Sequence, residues 1–373
     1  MLIADLTVMR VRVTERGDWL FVRAHTDDGL VGWGEASQSG DDEQVERFIR
    51  TRILPELRGR DATEVQSLIR PLVRRVAVPR HLGVAAATAV SAVEQALWDL
   101  RGKALGLPVS EMLGGRSRRQ VRMYANLNRS TWDRSPEGFA AVARAAVAAG
   151  FRAVKATPFD DLGPDGGEDA QVRAAVRRGV DRVVAVRDAI GPNVDLMVDC
   201  LSRLDRVTAV HVAQELEPLE LYWYEDPVPW AVDLDGLQRV AQGTRIPLAA
   251  GEFAYGTAEH LRILRSGAVS FLMPDVKHCG GIWEARAIAT LAETFGVQVA
   301  PHDPSGPVAT AASVQLCAAI PNFAILELAF GEVPWRDALT KGGERLVDGC
   351  LAVPTTPGLG VTLDEDLLHD HAR

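Results

Sequence analysis

From Val121 to about residue 335 the chain repeats one pattern: a short apolar run, a polar or charged residue near its end, a loop, and an amphipathic stretch. The runs are VRMYAN, RAVKAT, VDLMVDC, LYWYEDP, PLAAGE, SFLMPD, VQVAPHD and FAILELA. In the last six, Asp199, Glu225, Glu252, Asp275, His302 and Glu327 recur at steps of 26, 27, 23, 27 and 25. A strand of ~5 residues, a helix of ~11 and two loops of ~4 add up to roughly 25, so this is the step of a βα unit. Eight such units predict a TIM-type barrel. The step from Lys155 to Asp199 is 44, and the Gly/Asp-rich stretch FDDLGPDGGEDA is read as an extra loop ahead of that unit's helix. LDRVTAVHVAQEL, GIWEARAIATLAETFG and PVATAASVQLCAAI carry apolar or small residues on one helical face, as the connecting helices require. A doubly wound open sheet is the rival layout, but no GxGxxG turn follows a first strand.

Ahead of the repeat the periodicity differs. Residues 2–35 read as a three-stranded antiparallel meander, with Asp28-Gly29 as one turn. From Asp42 to about Leu107 the period becomes helical, ending at Gly106 and Pro108. Gly114-Gly115 and the basic SRRQ then read as a linker. The expected organisation is an α+β domain over 1–115, a barrel over 116–339, and a tail over 340–373 that returns to cover the N-terminal sheet.

Composition narrows the partners. At 373 residues and 47% hydrophobic the chain can bury a large core. Its net charge is −9 and no long basic run occurs, so neither nucleic acid nor an anionic membrane is an expected partner. The N-terminus lacks a signal-peptide pattern, and the apolar stretches fall short of the ~20 residues a span needs. The four cysteines are scattered without a CxxC pair and read as small buried hydrophobes, in keeping with a reducing cytoplasm. A small-molecule substrate and a homo-oligomeric assembly are expected.

In a closed parallel barrel the strand-end side chains converge on one mouth. Several carboxylates in one pocket repel one another and resist desolvation unless a cation or proton sits among them. Asp199, Glu225 and Glu252 come from consecutive strands and suit three oxygens on one face of a hard octahedral ion, with Mg2+ the first choice. Taken singly, each of these acids is equally suited to capping the next helix. Asp275 and His302 end the next two strands, and a carboxylate beside an imidazole makes a general base. Lys155 reads as a second base, a carboxylate clamp or a strand-end lysine reaching solvent. Glu327 either shares a proton with an enolic oxygen or balances Lys155. His278 is a ligand-contacting or a plain loop residue, and the aromatic group Tyr222, Trp223, Tyr224 and Trp230 reads as barrel packing and rim.

With GWGEA in the N-terminal sheet, ALWDLRGKALGLPVSEMLGG, VDC, YEDP, AAGE, PDVKHCGG and APHDPSGPVATAAS, nearly the whole chain resembles the enolase superfamily, mandelate racemase/muconate lactonizing enzyme type. The resemblance implies a modified (β/α)7β barrel under a cap made by the N-terminal region and the C-terminal tail. It also implies Asp199, Glu225 and Glu252 as Mg2+ ligands, Asp275 and His302 as the dyad, and Glu327 near an enolate. The shared chemistry is removal of the proton α to a carboxylate. PDVKHCGG and APHDPSGPV are most similar to acid-sugar dehydratases, which expel a β-hydroxyl and yield 2-keto-3-deoxy acids. Two positions depart from that pattern: the second lysine of KxK is Thr157, and the acid two residues after the first ligand is Leu201. Losing one base argues against a racemase or epimerase, which stands as the alternative. A catalytically impaired metal-binding homologue is the other. Substrate choice is expected from the loops 14–19, with Trp19, and 37–44, with Thr157 and His278 as further substrate contacts.

Overall fold

The computed structural model describes residues 1–15, 17–38, 40–77, 83–163 and 169–372. Parts of three predicted loops, at Arg16, Ser39 and 164–168, lie outside the described residues. The meander is present: β1 (Ile3–Thr14), β2 (Gly17–Thr26) and β3 (Val31–Glu35) form an antiparallel sheet in that order. Packed on it is the helix Gly83–Leu105, the cap helix, whose residues from Ala85 to Leu100 are buried all round. The Ala-rich sequence permits this, because small side chains let the sheet backbone approach closely.

The repeat folds into eight parallel strands: β4 (Gln120–Asn126), β5 (Ala153–Ala156), β6 (Asp195–Asp199), β7 (Trp223–Glu225), β8 (Leu248–Ala250), β9 (Phe271–Leu272), β10 (Gln298–Val299) and β11 (Leu326–Ala329). They pair in chain order, β11 pairs with β4, and a bridge from Val299 to Phe323 closes the ring. Among the described residues seven α-helices connect them, giving (β/α)7β. The 44-residue step has a second source besides the expected loop. The helix Asp169–Ile190 runs 22 residues, about twice its neighbours, so helix length as well as the loop accounts for the excess. After the barrel, β12 (Leu346–Val347) and β13 (Cys350–Ala352) form a hairpin that extends the sheet beside β4, antiparallel to it. The final helix Glu365–His371 then reaches β1.

Side chains alternate in and out of the ring. Tyr124, Ala153, Met197, Trp223, Ala249, Phe271, Met273, Ala300 and Ile325 form a separate apolar cluster that plugs its interior. Tyr224 faces the opposite way, into the shell between strands and helices. Two residues beyond the plug, on the same inward face, stand Asn126, Lys155, Asp199, Glu225, Asp275, His302 and Glu327, all buried. Glu252 is the exception, three residues beyond Ala249. Gly251 between them adopts φ +119, a turn most side chains resist, and brings Glu252 inward. No described helix is long and apolar enough to cross a membrane.

Candidate active site

One carboxylate oxygen each from Asp199, Glu225 and Glu252 lies within 4.8 Å of the others, and all three residues are buried. Lys155 is drawn into the same space. Its Nζ donates to Glu225 Oε1 at 2.7 Å, lies 2.9 Å from Glu327 Oε1 and stands 3.9 Å from Asp199 Oδ2. Burial pushes the Asp199 pKa up to about 7 against the pull of Lys155, and pushes that of Glu225 well above the usual range. The group therefore carries more buried negative charge than one ammonium offsets. A donor set of three carboxylates without sulfur or imidazole fits a hard divalent cation, which removes that imbalance. Of the three sequence readings of Lys155, solvent exposure is excluded: the residue is fully buried.

Asp275 and His302 meet as expected: His302 Nδ1 lies 2.7 Å from Asp275 Oδ2, and its Nε2 lies 3.0 Å from Glu252 Oε2. Burial disfavours the imidazolium, but Glu252, Glu327 and Asp275 together overcome it and raise the His302 pKa well above its ordinary value. Two neighbours were not singled out in the sequence. Lys277 Nζ donates to Asp275 Oδ2 at 2.5 Å, and together with His302 it keeps the Asp275 carboxylate ionised despite burial. Asn126 Nδ2 donates to Glu327 Oε1 at 2.7 Å, while Asp303 N donates to Oε2. Asn126 was legible in principle, since it ends the first run where the later runs carry their acids. Lys277 lay inside the quoted PDVKHCGG.

The remaining expectations divide. Thr157 is buried in the position after Ala156, and its hydroxyl has no partner among the described residues. His278 stands behind Asp275: Nδ1 pairs with Thr88 Oγ1 at 2.8 Å, Nε2 lies 3.7 Å from Asp275 Oδ2, and Phe253 stacks on the ring. Because Thr88 already donates to Val84 O, the Nδ1–H must donate to Thr88, and burial holds the ring neutral with a pKa down to about 3. Trp19 is drawn into the interior of the cap. Its indole is 1% exposed, donates to Glu332 Oε2 at 3.1 Å and packs edge-on against Trp335, so its size is used in packing. Other parts of the two cap loops, Gly17, Asp18, Gln38 and Gly40 to Glu43, line a polar cavity of about 490 Å³ with Arg10 and Arg129. Gln38 also donates to Pro304 O in the loop that follows His302.

Known proteins share this architecture. Residues 5–114 match the mandelate racemase / muconate lactonizing enzyme N-terminal domain, and residues 138–367 match the enolase C-terminal domain-like family. A D-xylonate dehydratase of Haloferax volcanii is 33% identical over 99% of this chain and 89% of its own length. A D-galactonate dehydratase of Verminephrobacter eiseniae is 34% identical over 100% of this chain and 95% of its own. The crystal structure of a mandelate racemase/muconate lactonizing enzyme-like protein from Rubrobacter xylanophilus superposes with a TM-score of 0.90 at 33% identity, covering 100% of this chain and 98% of that one. With both domains matched and the acidic triad at the mouth of a (β/α)7β barrel, the chain belongs to the mandelate racemase/muconate lactonizing enzyme type of the enolase superfamily.

Proposed function

We propose that the chain is a hydro-lyase that dehydrates an acid sugar, an aldonate or aldarate, to a 2-keto-3-deoxy acid. The observation that carries this reading is the juxtaposition of a carboxylate triad with a single buried Asp275–His302 pair, in a chain whose relatives are dehydratases. Asp199, Glu225 and Glu252 would hold Mg2+, which supplies positive charge that makes the proton α to the substrate carboxylate more acidic. Asp275 fixes the His302 orientation through Nδ1, and Nε2, which stands 3.0 Å from Glu252 Oε2, would take that proton with Glu252 committed to the cation. The protonated imidazole then returns it to the departing β-hydroxyl on the same face. Lys155 and Glu327, joined at 2.9 Å and braced by Asn126, place a cation and an acceptor at the mouth, with Glu327 Oε2 3.9 Å from His302 Nε2. Lys155 steadies the substrate carboxylate or the enediolate, whose charge is best stabilised by groups already in place.

The absence of a second lysine at Thr157 weighs against racemisation, which needs a proton acceptor on each face. Lys155 is committed to Glu225 and Glu327. The cap loops at 14–19 and 37–44 select the substrate, and the polar lining of their cavity suits a polyhydroxylated one. Incubation with a library of aldonic and aldaric acids in heavy water with Mg2+ tests the reading. A keto acid is the expected product; α-deuteration with inversion and no keto acid would indicate a racemase, and binding without either would indicate an inactive homologue.

A further inference from the structure

One face of the cap helix lies along the loop that carries Asp275. Thr88 pairs with His278, Ser91 Oγ accepts from Gly280 N at 3.0 Å, and Glu94 accepts from Ile282 N at 2.7 Å and Trp283 N at 3.0 Å. Gln95 Nε2 donates to Val276 O at 3.3 Å, and Trp98 stacks on Trp283. Positions 88, 91, 95 and 98 follow the spacing of one helical face, with 94 beside them. The loop residues they reach run from 276 to 283 without a long gap. The fit is close: a Cβ on Gly281 would come within 2.2 Å of Glu94 Oε2.

The loop after His302 is held from the cap as well. Glu35, at the end of β3, accepts from Gly306 N at 2.7 Å and Ala309 N at 2.8 Å, and Ser37 Oγ donates to it at 2.6 Å. Gln95 joins the two arrangements, since its amide accepts from Glu35 N at 3.2 Å and donates to Glu35 O at 3.3 Å. Thr88, Ser91, Glu94, Gln95, Glu35 and Ser37 are all fully buried.

We infer that Thr88, Ser91, Glu94 and Gln95 of the cap helix, with Glu35 of β3, are positioning residues that set the distance between Asp275 and His302 by holding the two loops from outside the barrel. Misplacing a proton acceptor by a fraction of an ångström slows proton transfer without changing how tightly substrate or metal binds. The kinetic consequence rests on the dehydratase reading; the structural one does not.

The test uses the full-length Gln95→Leu variant, which keeps the volume and removes the bond to Val276 of the first loop and the two bonds to the backbone of Glu35, whose side chain holds the second. With Mg2+ present, hydrogen–deuterium exchange is expected to speed up over 276–283 and 304–309 and to stay at the parent rate over 200–205 and 226–233. On an acid sugar that the parent dehydrates, kcat is expected to fall about tenfold, with KM and Mg2+ affinity within about twofold of the parent. Unchanged exchange in the two loops, or equal acceleration in all four segments, would overturn the inference, as would an unchanged kcat. If Gln95→Leu does not fold, Ser91→Ala removes the bond from Gly280 and a local one to Ala87 O, and is expected to speed exchange over 276–283 alone and to lower kcat about threefold. A parent that converts no acid sugar sinks the dehydratase reading, and the exchange arm then decides the positioning claim alone.

Discussion

The two halves of the barrel mouth are built from the same unit but anchored differently. Behind the triad, the helices after β6 and β7 cap themselves: Asp205 accepts from Val207 N and Thr208 N, and Asp233 accepts from Gly236 N. Behind the Asp275–His302 pair, the helices Ile282–Thr294 and Pro307–Ala319 begin at Gly281 and Gly306, with no side-chain cap of their own. Glu94 and Glu35 of the cap supply those acceptors from 188 and 271 residues away. A helix N-terminus needs an acceptor, and a carboxylate serves from either place. Supplying it from the cap makes the base half a joint product of both domains, while the helices behind Asp199 and Glu225 are capped within the barrel.

The largest expected effect lies in the base half. His302→Asn removes the proton acceptor and should lower turnover by about 10²–10⁴-fold while Mg2+ still binds. A variant that retains full turnover on a substrate of the parent would end the assignment. Next comes the ion-pair centre of the metal half. Lys155→Met leaves Glu225 and Glu327 buried without their cation and should lower the stability of the metal-free protein by about 3–5 kcal/mol. Urea titrations with and without Mg2+ measure it, and the metal should restore part of the loss. No loss in the metal-free protein would mean that Lys155 is not what holds those acids together.

Much of the barrel half was legible because its information is local. Alternation along each strand fixes which residues face inward, and the acid, lysine or imidazole two places past the plug follows from the same period. Even Glu252, out of step by one, is announced by Gly251 before it. The seam with the cap was not legible in the same way. Ser91, Glu94 and Gln95 sit in an Ala-rich helix whose period says only that it is buried, and nothing nearby in sequence names Gly280 or Ile282 as partners. The partner of Trp19 was hidden for the same reason: nothing near it in sequence points to Glu332, which its indole meets across the fold.

A pH series sharpens the contrast between the halves. Burial raises the Glu94 pKa from 4.5 to about 7, against the pull of its two backbone N–H donors and the Trp98 indole. The folded protein therefore binds that proton more tightly than the unfolded chain does. The stability owed to the group is fully present below about pH 4.5, declines as the pH rises, and is gone above about 7. Relative to Glu94→Gln, which does not titrate, the parent should lose about 3 kcal/mol of stability across that window. A difference that stays constant with pH would show that Glu94 is not desolvated at the seam.

The smallest effect belongs to a cap on the other side of the mouth. Asp205 serves only its own helix and is largely solvent-facing, so Asp205→Ala should cost about 1 kcal/mol, the ordinary worth of an N-cap. Its consequence for turnover should be slight, because the helix it starts leads away from Asp199 and the triad is fixed by strand register and ion pairs. Equal stability losses from Asp205→Ala and Ser91→Ala, with kcat falling only in the second, would separate a helix that caps itself from a loop held by the neighbouring domain. If kcat falls alike in both, the mouth responds as one body and the division between its halves does not hold.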